Sequence, residues 1–157
     1  MTLNTQAFGE IHINDEDILT FPEALPGFPD MKKFVVLFQE DAEGETDNFI
    51  CFLQSIENEG LSFVLADVSG ILPEYRPLAL LEYAREAGEG FDQKNLIVYN
   101  ILTVHDELVD STANLKAPVV IDVSAKTGRQ IFCQGDEYPI RARLFDLAEQ
   151  KGGACQC

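Results

Sequence analysis

The sequence predicts a mainly β fold, a largely antiparallel barrel or sandwich with one or two short helices. Three observations predict it. The apolar runs are short, β-branched and aromatic, and turn residues separate them. One stretch, Pro118 to Val123, alternates with the period of two that a half-buried strand requires. Only two segments carry a helical pattern.

The elements follow in order. Ala7-Phe8, Gly9 and Glu10-Ile11-His12-Ile13 form the opening of a hairpin. Asp17 to Phe21 is a short strand stopped by Pro22. Pro26-Gly27-Phe28-Pro29 is a turn, because two prolines and a glycine leave little else open. Phe34 to Phe38 is a buried strand, and Gln39 to Asp47 an acidic surface loop. Phe49 to Leu53 and Leu61 to Ala66 are further strands. Asn95 to Val104 is expected to be the longest. Its Leu96, Val98 and Leu102 lie on one face and Ile97, Tyr99 and Ile101 on the other, so it is central. In Pro118 to Val123, the residues Val119, Ile121 and Val123 share a face. Lys126-Thr127-Gly128 then turns the chain into Arg129 to Cys133. Leu80 to Ala87 is helical and ends at Gly88; Arg141 to Gln150 is a second helix with Leu144, Leu147 and Ala148 on one stripe. Residues 1–150 make a single domain and residues 151–157 a flexible tail.

The composition suits a globular chain with a substantial core: 157 residues, 46% hydrophobic and 24% charged. The charge is unusual. Against 11 Lys and Arg stand 27 Asp and Glu, a net charge of -16. Such a surface repels phosphate backbones and anionic lipid headgroups, which argues against nucleic acid and membrane partners. It attracts basic proteins and speeds their encounter. The Met1-Thr2-Leu3-Asn4 start has none of the basic and apolar character of a secretory leader, and no apolar run reaches the ~18 residues of a membrane helix. Cys51 and Cys133 sit in apolar runs as buried thiols, and nothing resembles a disulfide framework. A cytoplasmic protein is expected.

No catalytic constellation emerges. The two histidines, His12 and His105, lie in or beside strands with no serine placed opposite them. The carboxylates are too numerous to single out an acid–base pair, so a carboxylate hydrolase is only an alternative. Asp41, Glu43, Glu45 and Asp47 alternate as calcium ligands do, but the loop lacks the glycine and final glutamate of an EF-hand. Cys155 and Cys157 could share a soft metal or a strained disulfide, a second alternative, yet a zinc site needs about two more ligands. Gly88-Glu89-Gly90 follows a helix where a phosphate loop would open one. No metal or cofactor is expected, and no enzyme.

Several motifs stand in one order: Phe21-Pro22-Glu23, Pro26-Gly27-Phe28, Phe52-Leu53-Gln54-Ser55, Leu61 to Leu65, Thr112 to Ile121, and Gly128-Arg129-Gln130. In this order and spacing, from about Ala7 to Arg143, the chain resembles the FliW family of bacterial flagellar assembly factors. Asn114 to Ile121 is the most specific stretch. Asp122 stands where that family usually has Asn, and Asp67-Val68 where it often has Asp-Pro. The resemblance implies a small antiparallel β-barrel-like fold. It also implies a binding protein that holds flagellin and, alternatively, CsrA, a basic RNA-binding repressor of flagellin translation. Acidic residues that flank strands are then the expected contacts: Glu57, Glu59, Asp67, Glu74, Asp106 and Glu107. Gln54 and Asn114 join them, since polar residues amid apolar strands need partners, as do Ser55 and Gln130. Gly128 is expected to serve the hairpin turn and Gly27 the earlier one.

Overall fold

A computed structural model describes residues 1–40, 43, 46–68, 71–75, 77–87, 95–107, 110–135, 137–144 and 146–147. The strands are β1 (Thr2–Thr5), β2 (Gly9–His12), β3 (Leu19–Thr20), β4 (Lys33–Glu40), β5 (Thr46–Ser55), β6 (Ser62–Ala66), β7 (Leu96–Thr103), β8 (Thr112–Ala113), β9 (Val119–Asp122), β10 (Thr127–Gln130) and β11 (Ala142–Arg143). The helix α1 (Leu78–Ala87) follows Pro77, whose fixed φ suits a helix start.

Seven strands close a barrel in the order β7-β6-β5-β4-β3-β10-β9, with β9 pairing back onto β7. An odd number of strands cannot alternate direction all the way round a ring, so one neighbouring pair must run parallel. That pair is β3 with β10, registered through Thr20 and Thr127 and bonded from the Thr20 N–H to the Lys126 carbonyl at 2.9 Å. The other neighbours are antiparallel. The β1–β2 hairpin and the β8–β11 pair are additions outside the ring.

The alternation of each strand sorts its side chains into three cores. Inside the barrel lie Leu19, Phe21, Phe34, Cys51, Leu53, Leu65, Tyr99, Val119 and Ile121. On the outer face, Ala66, Val68, Tyr75, Leu102, Ala113, Leu115, Leu144 and Leu147 form a second core under the connector after β6 and the C-terminal segment. The β1–β2 hairpin covers a third, where Leu3 and Ile13 pack on Val35 and Leu37 of β4. Each fully buried Leu, Val or Phe stabilises the fold by about 1.5–3 kcal/mol relative to exposure.

The two barrel ends differ. One is plugged by the connector from β3 to β4. Phe21 and Phe34 meet edge to face at 5.1 Å, Phe28 and Phe63 at 5.4 Å, and Leu25 is buried among them. The connector turns at Gly27, whose φ of 88° suits glycine. At the other end, Phe38, Ile97 and Val123 remain exposed.

Several sequence expectations need correction. The longest strand is β5, at 10 residues, not β7 at 8. The β4–β5 ladder runs into the acidic stretch read as a loop, with Glu40 opposite Thr46 across a register shift. β3 starts at Leu19, because Asp15–Asp17 forms a 3-10 turn. Gly128 lies within β10, and the turn is closed by Lys126 at φ 58°. β10 ends at Gln130, well before Cys133. Arg141 is not helical, since Ala142–Arg143 pairs with β8. Leu144, Asp146 and Leu147 are helical, with Leu144 and Leu147 buried as the stripe implied, while Ala148 to Gln150 of that expected helix lie outside the described residues. Strand β1 has only two buried side chains, Leu3 and Thr5, a pattern too short to read from sequence.

Candidate partner-binding surface

Of the six acidic candidates, the structure presents four at one barrel end. Leu65 pairs with Ile101 and Ala66 with Asn100, so the turn before β6 and the loop after β7 leave the barrel on the same side. Glu57 and Glu59 stand on the first, Asp106 and Glu107 on the second, and all four are exposed.

The β5–β6 turn is held from beneath. Ser55 Oγ accepts the N–H groups of Glu57 (3.1 Å) and Asn58 (3.0 Å), and Asn58 Oδ1 accepts that of Gly60 (3.0 Å). Gln54 Nε2 donates to the carbonyls of Ser55 (3.1 Å) and Glu59 (3.3 Å). The Gln6 N–H reaches the same Glu59 carbonyl at 3.0 Å, tying the N-terminal hairpin to the turn. Glu57 Oε1 accepts the backbone N–H groups of Lys32 (2.7 Å) and Lys33 (2.8 Å). These two bonds hold its carboxyl below the usual range, and the two lysine charges add to the effect. Glu57 thus joins the plug connector to the turn and stays ionised beside Glu59.

The second loop is anchored by Ser111, fully buried, whose hydroxyl accepts the His105 N–H at 2.9 Å. The Asp110 N–H donates to the Glu107 carbonyl at 3.0 Å, and Arg143 pairs with Asp110 at 2.9 Å. Asp106 and Glu107 stand between these anchored groups. The other two candidates lie apart from these loops. Asp67 follows β6 at the opposite end, half-buried, its N–H bonded to the Phe49 carbonyl. Glu74 is exposed beside Tyr75 on the outer connector.

Gln54 has no surface with which to touch a partner, being 0% exposed. Its role is the brace just described. Asn114 is also a brace. β8 and β9 both pair with β7, and between them the chain makes an excursion from Asn114 to Pro118. Asn114 Oδ1 accepts the Ala117 N–H (3.0 Å), and Gln130 Nε2 donates to the Ala117 carbonyl (3.1 Å). Sequence reading missed two supports. Buried Asn100 donates through Nδ2 to the Asn114 carbonyl (2.9 Å) and to Tyr75 Oη (3.0 Å), and Tyr75 Oη donates to the Leu115 carbonyl (2.6 Å). Asn100 stands in the apolar run Leu96 to Leu102, and the logic that singled out Gln54 applies to it equally.

Among the described residues no group of three or more His, Cys, Asp or Glu is placed to hold a metal ion, and no helix is long and apolar enough to cross a membrane. Cys51 and Cys133 are buried and form no disulfide among the described residues, while Cys155 and Cys157 lie outside them. What the arrangement offers is exposed negative charge beside backbone groups held by Ser55 and Ser111, which suits a basic protein surface.

The family model described as FliW protein matches residues 2–144. The flagellar assembly factor FliW of Geobacillus thermodenitrificans is 36% identical over 145 residues, covering 92% of this chain and 96% of its own. That of Lachnospira eligens is 30% identical over 151 residues, covering 96% and 99%. A crystal structure of the flagellar assembly factor FliW superposes with a TM-score of 0.74 at 34% identity, covering 92% of this chain and 97% of that one.

Proposed function

The chain belongs to the FliW family of flagellar assembly factors, and on that premise we propose that it works by binding two alternative protein partners in the cytoplasm, flagellin and CsrA. Held by flagellin, it leaves CsrA free to repress flagellin translation. Released when flagellin is exported, it takes up CsrA and translation resumes. No bond is made or broken in this cycle.

The observation that carries the reading is the pair of acidic loops, Glu57 with Glu59 and Asp106 with Glu107, exposed at one end of a closed barrel in a chain of net charge -16. A basic RNA-binding protein is drawn to such a surface, and RNA is repelled by it, so the acidic protein competes for CsrA without binding the message. Backbone groups of Glu57, Asn58, Glu59 and His105 are already held by Ser55, Gln54 and Ser111, which lowers the cost of ordering on binding.

The test is calorimetric titration with flagellin and with CsrA from the same organism, each alone and then in the presence of the other. Binding to both, with flagellin displacing CsrA, is expected. Charge reversal of Glu59 and Glu107 should weaken the CsrA complex and flatten its salt dependence. Folded protein that binds neither partner at low salt would overturn the reading.

A further inference from the structure

The open barrel end has a regular origin. On β4 the inward-facing residues run Phe34, Val36, Phe38; on β7 they run Ile101, Tyr99, Ile97; along β9 and the residue after it they run Val119, Ile121, Val123. In each series the deeper residues belong to or pack on the inner core, and the last is exposed. Phe38 is 51% exposed, Ile97 37% and Val123 38%. All three line one cleft of about 270 Å³ whose floor includes Val36, Tyr99 and Ile121. Large apolar side chains on β4, on β7 and just after β9 thus line an unfilled mouth, while the opposite end is filled by Phe21, Leu25 and Phe28. Apolar residues gathered in this way mark a contact surface more often than a scattered few do.

Size and charge name the occupant. The cleft is below the ~300–1,000 Å³ of a pocket that encloses a small molecule, and its rim is open, so it suits one or two side chains projecting from a larger body. Along one side runs the 3-10 turn Asp15–Asp17, three consecutive acids, of which Glu16 and Asp17 line the cleft. All three are exposed, and none has an ion pair among the described residues. His12 and Lys126 are the basic lining residues. We propose that the barrel mouth is a docking site for a cationic amphipathic segment of a protein partner, one that seats a large apolar side chain between Phe38, Ile97 and Val123 and lays Lys or Arg along Asp15–Asp17. A buried apolar anchor with charges at the rim is the usual arrangement by which an amphipathic helix binds a groove. The proposal rests on the reading of this chain as a binding protein, and it assigns a second contact surface, at the end opposite the acidic loops.

The experiment titrates the full chain with a synthetic helical 20-mer of leucine and lysine in amphipathic order, and with a scrambled peptide of the same composition. Two variants are compared with the wild type: Phe38→Thr/Ile97→Thr/Val123→Thr, which keeps strand-compatible residues, and Asp15→Asn/Glu16→Gln/Asp17→Asn. Thermal unfolding checks that both fold; single substitutions replace the triple one if it does not. The wild type should prefer the ordered peptide, and the rim variant should lose about tenfold or more in affinity for it. The acid variant should bind more weakly and with a shallower dependence on salt. Unchanged binding by the rim variant, or equal binding of the scrambled peptide, would overturn the proposal. So would a wild-type dimer that the rim variant abolishes, which assigns the mouth to a second copy. Titrating flagellin and CsrA in parallel separates this proposal from the functional reading: peptide results decide the mouth even if neither protein binds.

Discussion

The outer edge of the Phe21 ring points straight at Gly128. A Cβ placed on Gly128 would overlap Cζ, Cε1 and Cε2 of that ring, which is itself fully buried, so that one or the other would have to shift. The pair joins the plug of the barrel to β10, one of the two strands at the parallel junction. Gly128 serves this close approach and not the turn, so its worth lies in the space it leaves.

Gly128→Ala should therefore destabilise the protein by overpacking, by about 1–3 kcal/mol. Urea denaturation reads the loss as a lower midpoint. Phe21→Leu in the same chain should recover part of it, because the shorter side chain withdraws the ring edge. Additive losses in the double variant would show that the two residues do not meet.

Tyr75→Phe removes one hydroxyl and leaves two groups without it, the Leu115 carbonyl and the Asn100 amide. A cost of about 1–3 kcal/mol is expected, the usual penalty for stranding buried polar groups. Equal stability of variant and wild type in denaturant would show that the excursion from Asn114 to Pro118 stands without this support.

Burial pushes up the phenols of Tyr75 and Tyr99, the largest cause in both. The folded state therefore keeps protons that the unfolded state has given up. Their contribution is fully present below the ordinary tyrosine value of about 10 and declines as pH rises from there toward the folded pKa. Denaturation midpoints measured between pH 8 and pH 11 should fall at the alkaline end, and Tyr75→Phe with Tyr99→Phe should make that fall shallower.

Glu57→Ala should leave the fold intact and free the N–H groups of Lys32 and Lys33. Amide hydrogen exchange at those two positions should quicken while exchange in β5 and β6 stays slow. In the wild type the same two amides should loosen as pH falls through the lowered pKa of Glu57, since protonation weakens the acceptor.

In a Cys155→Ser/Cys157→Ser background, Cys51 and Cys133 are the remaining thiols. Both are buried, and burial raises the Cys133 thiol further from its reactive form. A thiol reagent should modify them only as the protein opens, and rapidly in urea. Fast modification of either in native buffer would place it at the surface.

Most of the barrel could be read from alternation alone. Val119, Ile121 and Val123 share a face as their spacing demands, and so do Ile97, Tyr99 and Ile101. What periodicity could not say is how far along each strand the core extends. Phe38 has the same apolar character as Phe34, yet one is exposed and the other fully buried, because depth along the barrel axis is set by how many strands overlap at that level. The acidic candidates were found by their place beside strands. Their pairing across the turn before β6 and the loop after β7 required the register of two strands separated by a long connector. Gln54 shows the limit of the polar-residue argument, which finds a group that needs partners without telling whether they are inside or outside.

The parallel junction of β3 and β10 has a consequence for how the chain is made. It brings together Thr20 and Thr127, about a hundred positions apart. Contacts of such long range form late, because a large loop must close before they repay its entropy. During synthesis, the meander of β4, β5 and β6 can emerge and pair while the inner face of the ring still has no lid. Only a chain translated past Gln130 can close. The mouth and its three rim residues, which need β4, β7 and the residue after β9 in place together, therefore exist only on finished molecules, and a nascent chain has no such face to offer a partner.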